Sequence, residues 1–125
     1  MSREGRPIRW LGSTLEDLRG FPEAVRRGVG HSLREAQDGL KARNAKPVEG
    51  FKGATVLKIV EDHDGETYRA VYTVKFEEAV YVLHCFQKKS KSGIATPKQD
   101  IESIRQRYKL AEAEHKKWEE QQKKK

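Results

Sequence analysis

Lys58, Arg69, His84, Phe86 and Lys88 are the residues whose types could do chemistry together. Each falls in a segment of strand-like alternation, where every second side chain shares a face. On that parity Lys58 sits with Val56 and Val60, and Arg69 with Val71, Thr73 and Lys75. His84 sits with Val82, Phe86 and Lys88, opposite Tyr81, Leu83 and Cys85. The result is a sheet face of cations and valines around an aromatic ring. Phosphates need positive charge and unstacked bases need a π-face, so such a surface suits single-stranded nucleic acid. The competing reading is ordinary: an antiparallel sheet commonly keeps one wet face, and lysines are at home there.

His84 offers an imidazole that can move a proton near neutral pH. A histidine inside a strand also serves structure, and on sequence alone both readings stand. Cys85 has the opposite parity and reads as a small core residue rather than a nucleophile. His31, His63 and His115 are scattered, with no spacing typical of a metal site. No phosphate-cradling glycine loop is present. Neither a metal nor another cofactor is expected.

The elements that must position these residues follow from periodicity. Ile8-Arg9-Trp10-Leu11, ending at Gly12, predicts a first strand at a sheet edge. Ser13 and Glu16 have capping-box spacing ahead of a short helix over 14–19, closed by Gly20. Pro22 suits the first turn of a second helix, in which Phe21, Val25, Val29, Leu33, Ala36 and Leu40 form one apolar face. Gly28 and Gly30 weaken that helix and leave room for close packing. Residues 43–53 read as a polar loop.

Three strands are predicted over 55–60, 67–75 and 79–87, as an antiparallel meander. Asp62-His63-Asp64-Gly65 is the first turn signal and Glu77-Glu78 a weaker second. Leu57, Ile59, Tyr68, Tyr72, Val74 and Leu83 are expected against the helices. Thr96-Pro97, with Gln99, opens a last helix over about 97–120. Its seam is Ile101, Ile104, Tyr108, Ala111, His115 and Trp118, and it reads as one docked helix with a basic tail over 121–125.

The chain has 125 residues, enough for one domain, 1–125, with its core at about 8–110. The net charge of +7 and pI of about 9.6 favour an anionic partner or a solvated basic surface. One cysteine allows no intrachain disulfide. No apolar run is long enough for a transmembrane helix, and the first residues do not read as a secretory signal. No membrane association is expected, and the cytoplasm is the expected compartment.

The run Tyr68-Arg69-Ala70-Val71-Tyr72-Thr73-Val74, then Val82-Leu83-His84-Cys85-Phe86-Gln87-Lys88-Lys89-Ser90 and Thr96-Pro97, resembles the phage-derived HigB-like toxins of the RelE/ParE superfamily. Leu57-Lys58-Ile59 fits the lysine-bearing strand upstream, and Phe21-Pro22 fits the helix before it. The resemblance covers about residues 8–110. Phe-x-Lys-Lys followed by Thr-Pro is fairly specific to this group, whereas Tyr-Arg-x-x-Tyr marks the wider superfamily.

The resemblance implies an α+β, RelE-like fold: N-terminal helices on a curved antiparallel sheet, plus a C-terminal helix. It implies the toxin of a type II toxin–antitoxin pair, an endoribonuclease acting on messenger RNA, often on the ribosome. A cognate helix-turn-helix antitoxin is the implied partner. Arg69, Lys58 and Lys89 then match the family's basic site residues. A metal-free ribonuclease must accept the 2′-OH proton, stabilise charge on phosphorus and protonate the leaving oxygen. Arg69 suits the charge, since a guanidinium can fork two phosphate oxygens. Lys58 or His84 would take the proton, and Lys58 would need a pKa lowered by neighbouring cations. Lys88, Phe86, Lys91 and Lys75 would help hold RNA.

The best-studied members of the superfamily it resembles carry a tyrosine or histidine after the last strand, where Ser90-Lys91-Ser92-Gly93-Ile94-Ala95 has neither. Two alternatives therefore stand beside the ribonuclease: a non-catalytic toxin of this fold acting on another target such as DNA gyrase, and a prophage RNA-binding protein that does not cut.

Overall fold

The computed structural model describes residues 5–88 and 97–124. The elements are β1 (Ile8–Trp10), α1 (Thr14–Arg19), α2 (Glu23–Gln37), β2 (Ala45–Pro47), β3 (Val56–His63), β4 (Glu66–Thr73), β5 (Val80–Lys88) and α3 (Lys98–Lys123). The five strands form one sheet in the order β1-β5-β4-β3-β2.

Three strand pairs are antiparallel, and β1 lies at an edge as expected, but it runs parallel to β5, pairing Ile8 with Val80 and Trp10 with Val82. The sheet is therefore mixed, not purely antiparallel. Nothing local announces this, because a parallel partner needs no tight turn to join it. The β3–β4 hairpin turns at Asp64 and Gly65, with φ of 50° and 79°. Two consecutive positive-φ residues are what a right-twisted two-residue hairpin requires.

Helices cover both faces. On one, Leu18 of α1 and Val25, Val29, Leu33 and Ala36 of α2 pack on Leu57, Ile59, Tyr68, Ala70, Tyr72, Val80, Val82 and Cys85. On the other, Ile104 and Ala111 of α3, with Ile101 and Tyr108, pack on Val56, Val71, Tyr81 and Leu83. The predicted α3 seam is thus the docked face, with Ile104, Ala111 and His115 buried.

Leu83 falls on the α3 side, not with Leu57 and Tyr72. The ladder pairs Val71 with His84 but Tyr72 with Val82, so Leu83 is the extra residue of a β-bulge. An extra residue resets alternation: Tyr81 and Leu83 share a layer with Phe86, while Cys85 turns to α2.

Three local expectations change. No side-chain cap forms at α1; Ser13 Oγ instead donates to Asp17 Oδ2 at 2.8 Å. Leu40 is not on the α2 face and is 60% exposed. Gly39, at φ 82°, ends the helix: its amide donates to the Ala36 carbonyl and that of Leu40 to Glu35, swinging Leu40 outward. The 43–53 loop contains β2 and the start of a 3-10 turn over Lys52–Ala54. The proposed cap at Thr96 lies outside the described residues.

Candidate nucleic-acid interface

The Tyr68-Arg69-Ala70-Val71-Tyr72 run is split by strand alternation. Tyr68 and Tyr72 enter the α2 core, and Arg69 turns to the α3 side. There it stands opposite Val60 on β3 and Phe86 on β5. Lys58 stands opposite Val71 on one flank and Lys46 of β2 on the other. Lys88 stands opposite Thr67. Lys46, Lys58, Arg69 and Lys88 therefore step diagonally across four adjacent strands, on one face.

This stripe is only partly open. Arg69 is 5% exposed and Lys88 7%, while Lys58 is half-buried and Lys46 exposed. Burial lowers the Lys58 ammonium from its ordinary pKa, and Arg69, Lys88 and Lys46 press it down further; Glu49 opposes them. Lys88 is lowered by burial and then by Arg69. Burial also lowers Arg69, with Asp100 and Asp62 working against it. A guanidinium stays charged regardless. The crowding that a lysine base needs is thus present around Lys58.

His84 joins the same face but is gripped by α3. Its Nε2 lies 2.7 Å from Asp100 Oδ1, and its Nδ1 lies 3.2 Å from Arg107 Nη1. The same Arg107 nitrogen donates to the Leu83 carbonyl at the bulge, at 3.0 Å. The imidazole stacks on Phe86 with centroids 4.9 Å apart. Phe86 in turn packs, partly buried, against the α3 core layer.

Lys75 is not brought to the stripe. It lies beyond β4, hydrogen-bonded to Glu112 at 2.5 Å and 5.4 Å from the centre of the Tyr108 ring. Contact with Glu112 raises its pKa. With Phe51, Lys52, Arg105 and Tyr108 it lines a cavity of about 550 Å³ between α3 and the turn before β3. Lys89 and Lys91 lie outside the described residues.

Lys46, Asp100 and Arg107 were not singled out in the sequence. Lys46 sits in a three-residue strand containing proline, too short to alternate visibly. Asp100 and Arg107 are seven residues apart on one helix face, a spacing that could have flagged a shared contact but not its partner.

The architecture is that of an α+β domain of RelE-like form, with a diagonal row of cations across its sheet. A family model described as phage-derived protein Gp49-like (DUF891) matches residues 16–109, and the chain belongs to that family. No curated protein sequence matches it. The family match takes in β2 to β5, all four cations of the stripe, and the Asp100 and Arg107 contacts to His84. Among the described residues no helix is long and apolar enough to cross a membrane.

Proposed function

We propose that this chain is a HigB-like toxin of a type II toxin–antitoxin pair, a metal-independent endoribonuclease that cuts messenger RNA during translation in the cytoplasm. The observation that carries the reading is the stripe of Lys46, Lys58, Arg69 and Lys88, with Lys58 held below its ordinary pKa inside it. Phosphate affinity and a deprotonable amine meet there on one surface. Lys58, once neutral, takes the 2′-OH proton as the 2′ oxygen bonds to phosphorus, and the departing 5′ oxygen takes its proton from water. Arg69 binds the scissile phosphate through its fork and stabilises the charge that grows on it. Lys46 and Lys88 hold the flanking backbone. His84, held by Asp100 and Arg107, fastens α3 to β5 beside the site. A helix-turn-helix antitoxin is the partner under this reading, which rests on the family resemblance.

The test is induction of the gene in a bacterial host, with mapping of messenger-RNA 5′ ends. New ends and growth arrest are expected from the wild type, and neither from Arg69→Ala at equal expression. Arrest without new ends removes the ribonuclease reading. An Arg69→Ala variant as toxic as its parent removes the site.

A second reading, an RNA-binding protein that does not cut, is favoured by the low exposure of Arg69 and Lys88. It predicts RNA retention by the purified protein with no shortened products.

A further inference from the structure

At the other end of β5 from the cation stripe the fold assembles a second group of side chains. Its centre is His115, in the C-terminal half of α3 and only 2% exposed. The imidazole stacks on Phe76 with centroids 4.3 Å apart and on Trp118 at 5.3 Å, and meets Tyr81 edge-on at 5.7 Å. Three rings thus hold it in one orientation. The Tyr81 hydroxyl lies 3.1 Å from Nδ1, and Glu78 Oε1 lies 2.8 Å from Nε2.

Glu119 follows His115 by one helical turn, so it shares that face of α3. One carboxylate oxygen from each glutamate and one ring nitrogen of His115 all lie within 4.8 Å of one another. Glu78 and Glu119 are both exposed and flank the buried ring from its solvent side. Two carboxylates converge on a single imidazole nitrogen, which has at most one proton to share between them. A divalent cation at that point would neutralise both.

We propose that Glu78, His115 and Glu119 bind a divalent transition-metal ion of the zinc type. Imidazole with carboxylates is a donor set that suits zinc, and helical spacing of one turn brings two ligands to one ion. A metal-bound histidine needs its other nitrogen to donate to an oxygen, which fixes the tautomer and ring direction. Tyr81 stands where that acceptor is needed. On binding, the imidazole proton resides on Nδ1 and is donated to the Tyr81 oxygen, and the Nε2 lone pair turns to the metal. Water completes the coordination. Arg9, Glu114 and Lys117 line the adjacent recess beside Tyr81 and Trp118, so the neighbourhood carries both signs of charge.

The consequence is a clamp between distant parts of the chain. Glu78 belongs to the β4–β5 connection, and His115 and Glu119 to the long helix. Tyr81 and Lys88 are seven positions apart along β5, roughly 20 Å. The metal therefore secures the far half of α3 and is separate from RNA chemistry; this proposal does not rest on the ribonuclease reading. Spacing did not reveal it because Glu78 joins His115 only through the fold.

The experiment uses the full chain after chelator treatment, titrated with zinc chloride by calorimetry, with Trp fluorescence and thermal melting alongside. One ion per chain, a higher melting temperature and a fluorescence change from Trp118, whose ring stacks on His115, are expected. Glu119→Gln, at an exposed position, should keep the metal-free melting temperature and weaken zinc by at least about tenfold. Glu78→Gln should weaken it similarly. Absence of zinc binding by the wild type overturns the proposal. So does equal zinc binding by wild type and Glu119→Gln, which would place the ion elsewhere, for example on His31 or His63.

Discussion

Arg107 lies 3.2 Å from His84 Nδ1, and Asp100 lies 2.7 Å from Nε2 of the same ring. A guanidinium has no lone pair to offer, so Nδ1 must accept and the ring proton must sit on Nε2, facing Asp100. Both nitrogens are thereby committed to α3. The ring ties the first and third turns of that helix to the bulged stretch of β5, and Arg107 also satisfies the Leu83 carbonyl. His84→Ala should therefore cost stability, roughly 1–3 kcal/mol for the groups left unpaired. It should leave RNA affinity and growth arrest largely intact. Urea unfolding beside a toxicity assay separates the two roles: lost activity at unchanged stability would return His84 to the acid–base chemistry.

Two glycines of α2 make opposite predictions. A Cβ on Gly28 would lie 2.5–2.6 Å from the Glu61 carboxylate. That carboxylate accepts from Asn44 Nδ2 at 2.6 Å, and Asn44 Oδ1 accepts from Ser32 Oγ at 2.9 Å. Moving Glu61 disturbs the whole set. A Cβ on Gly30 meets nothing within 4 Å. Gly30→Ala should stabilise the protein by about 0.5–1 kcal/mol through helix propensity and a less flexible unfolded chain. Gly28→Ala should lose that gain and become destabilising overall. Denaturation midpoints in the reverse order would refute the close packing of α2 on β3.

The α2 face and the α3 seam were readable because 3.6-residue periodicity reports burial directly: Val25, Val29 and Leu33, then Ile104, Ala111 and His115, are buried. Alternation likewise placed Lys58 and Arg69 on one face. It failed at Leu83, because a bulge is set by how β5 fits β4 and leaves no mark in Val82-Leu83-His84. The direction of β1 depends on where two helices return the chain, so it too was hidden. Lys46 was lost with β2, where three residues are too few to alternate. The His84 contacts required knowing which helix crosses which strand.

Lys58 makes a pH-dependent contribution whose sign follows from its lowered pKa. Below its lowered folded value both folded and unfolded chains carry the charge, and the folded state bears the full cost of burying it among cations. As pH rises through the lowered folded value, the native state sheds its proton first. The cost fades and is gone above the unfolded value of about 10.5. Lys58→Met should therefore be more stable than the wild type at pH 7. The gap should narrow as pH approaches 10.5, while growth arrest is abolished. Chemical denaturation of both proteins across this range checks it; a gap that widens with pH would contradict the buried-cation picture.

Lys46 tests whether the stripe is a binding surface from end to end. It faces Lys58 directly across β2 and β3, and like charges so placed repel. Lys46→Ala should leave the melting temperature unchanged or slightly raised. If Lys46 contacts a phosphate of single-stranded RNA, its loss should lower the slope of log affinity against log salt by about 0.7. A 2′-deoxy oligonucleotide, which lacks the attacking hydroxyl, allows affinity to be measured without cleavage. Lys116→Ala, on the exposed side of α3, is the control for general basicity. Equal slope changes for the two variants would mean that the anion meets the protein's overall charge rather than the row from Lys46 to Lys88.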